Sequence, residues 1–163
     1  AFRAMDFVTR DHYRHVIEDL ARGSDRTELD VAALAIAMAG AVGIQLAQPQ
    51  RRVVAIVGDG SAMYSIQALW TAAHFKLPIT YIIANNASYR ILKERVMPYQ
   101  KEAKFIAMDM REPRIDFVQL AQSMGVAAQR VTEPQALDAA LAAAYAQSGP
   151  ALIDVAVQDG FGS

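Results

Sequence analysis

Apolar positions change their period several times along the chain, and each change marks an element. Between Thr9 and Gly23, Tyr13, Val16, Ile17 and Leu20 recur at the 3, 1, 3 spacing of one helical face, with a hydroxyl residue before the run and a glycine just past it. A second helix is predicted from about Ser24–Thr27 to Ala47, before Pro49 stops it; being apolar nearly all round, it should be buried. RVVAIV (52–57) is a β-branched run without alternation, the signature of a strand covered on both faces. SAMYSIQALWTAAHFK (61–76) returns to helical spacing, with Met63, Ile66, Leu69, Trp70 and Ala73 on one side, so that Trp70 and Tyr64 read as core. His74, near its end, reads as a capping or packing residue.

After Pro78, ITYIIAN (79–85) is another buried-type strand. Arg90 to Arg114 lacks a period and holds two prolines, seven basic and four acidic residues, which reads as a solvated, partly helical excursion. IDFVQLAQSMG predicts a helix ended by Gly125, VAAQRV (126–131) a strand, and Thr132 with Pro134 the cap and first turn of a helix through about Gln147. ALIDVAV (151–157) is the last strand. Strands interleaved with helices make an α/β fold: an open, doubly wound, mostly parallel sheet of about four strands with helices on both faces, preceded by two N-terminal helices.

Composition narrows the class. With 163 residues the chain is one compact unit, and 53 % hydrophobic against 20 % charged residues excludes a disordered tail. No apolar run spans a bilayer, and sixteen basic against seventeen acidic residues give no global field for nucleic acid or an anionic membrane. The absence of cysteine excludes disulfides and thiolate chemistry, and with no signal peptide a cytoplasmic location is expected. The length is short for an enzyme with its own complete active site.

The chemistry concentrates at Gly58-Asp59-Gly60-Ser61, a turn that follows a strand and opens into a helix. Glycines there let a ligand approach the backbone, and a helix N-terminus favours phosphate. Asp59 would repel a phosphate unless a divalent cation lies between them, which points to Mg²⁺ and a diphosphate. Further oxygen ligands are available in Asn85-Asn86-Ala87-Ser88, after the second strand and at the same carboxyl edge of the sheet. The dinucleotide fingerprint fails at Met63, a P-loop lysine is absent, and Ser61 lacks the glycines of a nucleophile elbow. An ordinary Gly-Asp turn remains the plain alternative.

GDG followed by NN, with Asn86 27 positions after Asp59, resembles the thiamine-diphosphate signature of the 2-oxo-acid decarboxylases. From about Gly40 to Val157 the chain is similar to the diphosphate-binding (PP) domain of the benzoylformate decarboxylases. The resemblance implies that Asp59 and Asn86 give Mg²⁺ side-chain oxygens and Ser88 a backbone carbonyl. It also implies that Gly58, Gly60 and Ser61 meet the diphosphate, with Tyr64 nearby, and that thiamine diphosphate serves as electron sink in decarboxylation of a 2-oxo acid. Where the family has a glycine-rich loop supporting the cofactor, this chain has Ala32-Ala33-Leu34-Ala35, which keeps the apolar prop Leu34 but favours helix.

The family's activating glutamate lies in a separate pyrimidine-binding domain contributed by a neighbouring subunit, which implies that this chain is inactive alone; the family's PP domains bury broad apolar faces against other domains, so a homo-oligomer is expected. Residues 1–37 instead resemble a segment of the cyclic β-1,2-glucan synthases, so a chimera is expected, with a PP-type domain over 38–163. Two other functions stay open: a recombined structural domain without catalysis, and a Mg²⁺-dependent nucleotide- or phosphate-binding module.

Overall fold

The computed structural model describes residues 37–99 and 105–160. The helix expected from Thr9, the first half of the second helix, and Leu34 with its alanine neighbours lie outside them. Helix α1 (Ala37–Ala47) leads into strand β1 (Val53–Gly58); α2 (Asp59–Ala62) and α3 (Ala68–His74) lead to β2 (Ile79–Asn85). Then come α4 (Arg90–Val96), α5 (Phe117–Ser123), β3 (Ala127–Val131), α6 (Leu137–Ala146) and β4 (Ala151–Ala156). The strands form one sheet in the order β1-β2-β4-β3, every pair parallel, which is the open α/β layer expected from the sequence. Among the described residues no helix is long and apolar enough to cross a membrane.

The register sorts the two faces. Val53, Ala55 and Val57 of β1 stand beside Ile79, Tyr81 and Ile83 of β2, and Tyr81 stands beside Leu152 of β4. This face packs against Met38, Ala41 and Val42 of α1, Leu69 and Ala72 of α3, and Phe117 and Ala121 of α5 in the main core. A smaller cluster on the opposite face joins Val131, Ala151 and Ile153 to Ala140 and Ala144 of α6. The chain runs from β1 through β2 to the far edge at β3 with its helices on one face. It then returns to β4 with α6 on the other, as right-handed crossovers require when the direction reverses.

Three expectations about burial are corrected. Residues 61–76 are not one helix: i to i+3 bonds such as Ser65 N–H to Ala62 O and Ala68 N–H to Ser65 O carry the chain between α2 and α3. That tighter winding turns Ile66 into the core and Met63, Tyr64 and Trp70 outward, so Trp70 is 57 % and Tyr64 59 % exposed. Trp70 stacks on His74 with ring centroids 5.0 Å apart, so that histidine packs. Among the described residues β1 is covered on one face only: α6 lies over β3 and β4, and Ile56, pointing the other way at the sheet edge, is 71 % exposed. α1 is buried along one stripe, while Ile44 and Leu46 are exposed.

One buried side chain on α1 is polar. Gln45 donates from Nε2 to the Arg51 carbonyl at 2.8 Å and the Gln48 carbonyl at 3.3 Å, and its Oε1 accepts from Val53 N–H at 3.1 Å. It therefore closes the turn between α1 and β1, satisfying backbone groups that neither element can pair. Tyr81 is the opposite case: it is fully buried, its hydroxyl makes no hydrogen bond within the described residues, and burial pushes its pKa well up. Gln45→Leu should cost about 1–3 kcal/mol by removing the side-chain partner of the Arg51 carbonyl and the Val53 N–H, whereas Tyr81→Phe should be neutral or stabilise by up to about 1 kcal/mol. Urea unfolding checks both, and a loss of stability in Tyr81→Phe would show that the hydroxyl has a partner in solution.

Candidate functional site

The turn after β1 sets the first half of the site. Gly58 ends the strand in an extended conformation (φ −70°, ψ 152°), and the chain passes directly into α2, so Asp59 is its first helical residue. Asp59 is only 3 % exposed. Its Oδ1 accepts from the Gly60 N–H at 2.8 Å, and its Oδ2 is buried with no hydrogen-bond partner among the described residues. Burial raises the pKa of this carboxyl above the ordinary range; the backbone N–H groups of Gly60, Ala87, Ser88 and Asn86 pull the other way by favouring the carboxylate. Three of those four donors belong to the turn after β2. Folding therefore brings Asp59 against residues 86–88, the pairing that the two sequence motifs implied.

The second turn is built by its own asparagines. Asn85 Oδ1 accepts from Ala87 N–H at 3.1 Å and Asn86 Oδ1 from Ser88 N–H at 3.0 Å, two successive side-chain turns that leave Ala87 at φ 52°. A left-handed alanine costs about 1–2 kcal/mol, so surrounding contacts must hold it. On one side, Met110 N–H donates to the Ala87 carbonyl and Tyr89 N–H to the Met108 carbonyl, both at 2.8 Å. Behind it, Asn85 Nδ2 donates at 2.9 Å to Asp154, a fully buried carboxylate on β4 that also takes Arg130 of β3 at 2.8 Å.

The glycines differ in what they leave open. A Cβ on Gly60 would lie 2.7 Å from the Tyr89 ring, so that side of Gly60 is filled by the protein itself, contrary to the expectation of open backbone there. A Cβ on Gly58 would meet nothing within 4 Å. Ser61 is partly buried and its carbonyl accepts from Tyr64 N–H at 3.3 Å, while Tyr64 stands exposed in the turn beyond. Asn86 is partly buried and Ser88 is 3 % exposed.

The donor set fits a hard divalent cation. Asp59 offers a buried carboxylate oxygen with no partner among the described residues, and the nearby turn contains oxygen groups of the same hard type, the Asn86 amide and the Ser88 carbonyl that the resemblance named as ligands. Among the described residues no three His, Asp or Glu side chains converge. The remaining ligands would come from phosphate and water, as Mg²⁺ prefers.

Sequence reasoning passed over three charged residues beside this turn. Lys93, placed in a solvated excursion, is 3 % exposed and its Nζ donates to Asp109 and Asp159 at 2.8 Å each. Asp154 carried a signal, since a carboxylate inside the apolar run ALIDVAV needs a buried partner. Lys93 and Asp159 carried none, because their pairing is a matter of tertiary contact.

The chain matches the family model of the thiamine pyrophosphate enzyme C-terminal TPP-binding domain over residues 23–155, a match that begins before the boundary expected at 38. It is 39 % identical over 144 residues to a putative acetolactate synthase large subunit of Mycobacterium tuberculosis, covering 84 % of this chain and 28 % of that protein. It is 38 % identical over 125 residues to a benzoylformate decarboxylase of Pseudomonas aeruginosa, covering 77 % of this chain and 23 % of the relative. Among solved structures, the thiamine diphosphate-dependent 4-hydroxybenzoylformate decarboxylase of Rhodococcus jostii RHA1 superposes with a TM-score of 0.71 at 38 % identity, over 76 % of this chain and 23 % of that one. The chain thus spans about a quarter of the length of these relatives.

The two glycines separate folding from binding. Gly60→Ala should destabilise the chain by about 1–3 kcal/mol, because the Tyr89 ring must move. Gly58→Ala should fold normally. If thermal unfolding ranks them the other way, the packing of Tyr89 over Gly60 is wrong.

Proposed function

From the premise that this chain belongs to the thiamine pyrophosphate enzymes as their C-terminal TPP-binding domain, we propose that it binds thiamine diphosphate through Mg²⁺ and serves a 2-oxo-acid lyase of the benzoylformate decarboxylase type. The observation that carries the Mg²⁺ reading is the unpartnered Asp59 Oδ2, buried at a turn whose neighbours are the amides of residues 86–88. A buried carboxylate without a compensating partner is costly, and a cation there turns that cost into affinity.

In this reading Asp59, Asn86 and Ser88 hold the metal, and the metal holds the diphosphate. Gly58 leaves room beside the chain, and the Gly60 and Ser61 backbone forms the first turn of α2, where the Gly60 N–H is already held by Asp59 Oδ1; both residues are assigned to the diphosphate by resemblance. Tyr64 is exposed at the same end and is assigned to the cofactor's surroundings by resemblance. When bound, thiamine diphosphate supplies an electron sink for cleaving the bond beside the 2-oxo carbonyl. The chain's own residues anchor and orient the cofactor by its diphosphate end. Activity would require the pyrimidine-binding domain that carries the family's activating glutamate, and the chain is proposed to assemble as a homo-oligomer.

Calorimetry with thiamine diphosphate tests this. Heat that requires Mg²⁺ and disappears in Asp59→Ala is expected, with affinity lowered about 100-fold or more by loss of the only charged ligand. Tighter binding of a nucleoside diphosphate would favour the phosphate-binding alternative, and no metal-dependent heat from a well-folded chain would favour a structural domain without catalysis.

A further inference from the structure

The short tail after β4 runs beside the turn that carries Asn86 and Ser88. Val157 N–H donates to the Asn85 carbonyl at 3.0 Å. Two residues on, Asp159 is 8 % exposed although it lies near the end of the chain, and its Oδ2 accepts from Lys93 Nζ at 2.8 Å and Arg111 at 3.5 Å. Gly160 adopts φ 77°, and the side chain it lacks would sit 3.2–3.4 Å from the Arg90 guanidinium. The tail thus meets the end of β2 at Asn85 and the following helix α4 at Lys93 and Arg90.

The turn's other flank is residues 108–110, joined to it by the bonds of Ala87 and Tyr89 and by an antiparallel bridge between Ser88 and Asp109. Asp109 is the second carboxylate on Lys93, at 2.8 Å. One buried ammonium on α4 therefore ties together the two segments that sandwich residues 85–90. Burial works against the Asp159 carboxylate, yet the Lys93 ammonium, the Ser88 hydroxyl and the Arg111 charge outweigh it and hold its pKa below the ordinary range. Burial likewise works against charge on Lys93, and Asp109 and Asp159 outweigh it and hold its pKa above the ordinary range.

We infer that Lys93 and Asp159 are positioning residues: their buried ion pair clamps the Asn86–Ser88 turn between the tail and residues 108–110 and so sets its affinity for a divalent cation. The affinity half of this inference rests on the metal reading proposed above; the clamp half does not. The geometry favours such a role because Ala87 sits at φ 52° and Asn86 and Ser88 lie on an irregular turn, which no regular element holds in place. Residues behind metal ligands commonly tune affinity by about 10–100-fold.

Two measurements on Asp159→Asn separate the halves. Hydrogen exchange of the metal-free protein should show residues 86–90 losing protection by about tenfold or more, with the β2 interior unchanged. Calorimetry with Mg²⁺ at saturating thiamine diphosphate should show the Mg²⁺ dissociation constant raised about tenfold or more. Gln45→Leu, which weakens the opposite edge of the sheet, should move neither. If Asp159→Asn gives no cooperative melt, the double variant Lys93→Met, Asp159→Leu leaves no lone buried charge in the pair and should show the same two changes. Unchanged exchange at 86–90 in the folded variant overturns the clamp. Unchanged Mg²⁺ affinity despite faster exchange overturns its link to the metal. A wild-type chain with no Mg²⁺-dependent heat refutes the metal reading and the affinity half together, and leaves the exchange result to decide the clamp alone.

Discussion

The burial of Asp59 is the constraint around which the carboxyl edge of the sheet is organised. A carboxylate 3 % exposed has lost most of its water, and only its neighbours can repay that. It sits where β1 stops and α2 starts, so its own helix gives it one N–H, from Gly60. The other groups that favour its charge are the N–H dipoles of Asn86, Ala87 and Ser88, which lie near it without satisfying Oδ2 and only because the turn after β2 comes up to the end of β1. Parallel pairing of β1 with β2, from Val53 beside Ile79 to Gly58 beside Ala84, brings the two strand ends level and makes that approach possible.

Holding an irregular turn in this position takes polar contacts from several parts of the chain. From within, Asn85 and Asn86 supply side-chain oxygens to the turn's amides. From the sheet, Asp154 holds Asn85 while Arg130 balances its charge. From above, Tyr89 fills the space beside Gly60 and ties α2 to the turn. From the flanks, Lys93 joins Asp109 to Asp159. Buried ion pairs of this kind add little net stability over apolar packing, but they fix one geometry against its neighbours. The apolar core on α1, α3 and α5 supplies the stability, and the polar shell at the strand ends supplies the positions.

The elements of this chain were legible because their signals are local. Short runs rich in apolar and β-branched residues, each with Gly or Pro beside it, marked β1, β2 and β4, and the spacing of GDG and Asn-Asn named the turns that meet. Local signals fail where a residue's partner is distant. The period of residues 61–76 is that of a helix, yet burying Asp59 at one end and Ile66 in the core winds the intervening residues more tightly and turns Trp70 and Tyr64 outward. The apolar run of β1 predicted cover on both faces, and the strand order put β1 at an edge with Ile56 exposed.

The sequence by itself thus determined the strand and helix order, the parallel class of the sheet and the two motifs at its carboxyl edge, since each follows from period, turn chemistry and short-range spacing. Tertiary structure alone decided which charges are buried and with whom. Lys93 looks like any lysine of a charged stretch, and becomes a buried clamp only because residues 109 and 159, 16 and 66 positions away, arrive on either side of it. Ion pairing depends on distance in space and on lost water, and neither quantity is written in the spacing of residues along a chain.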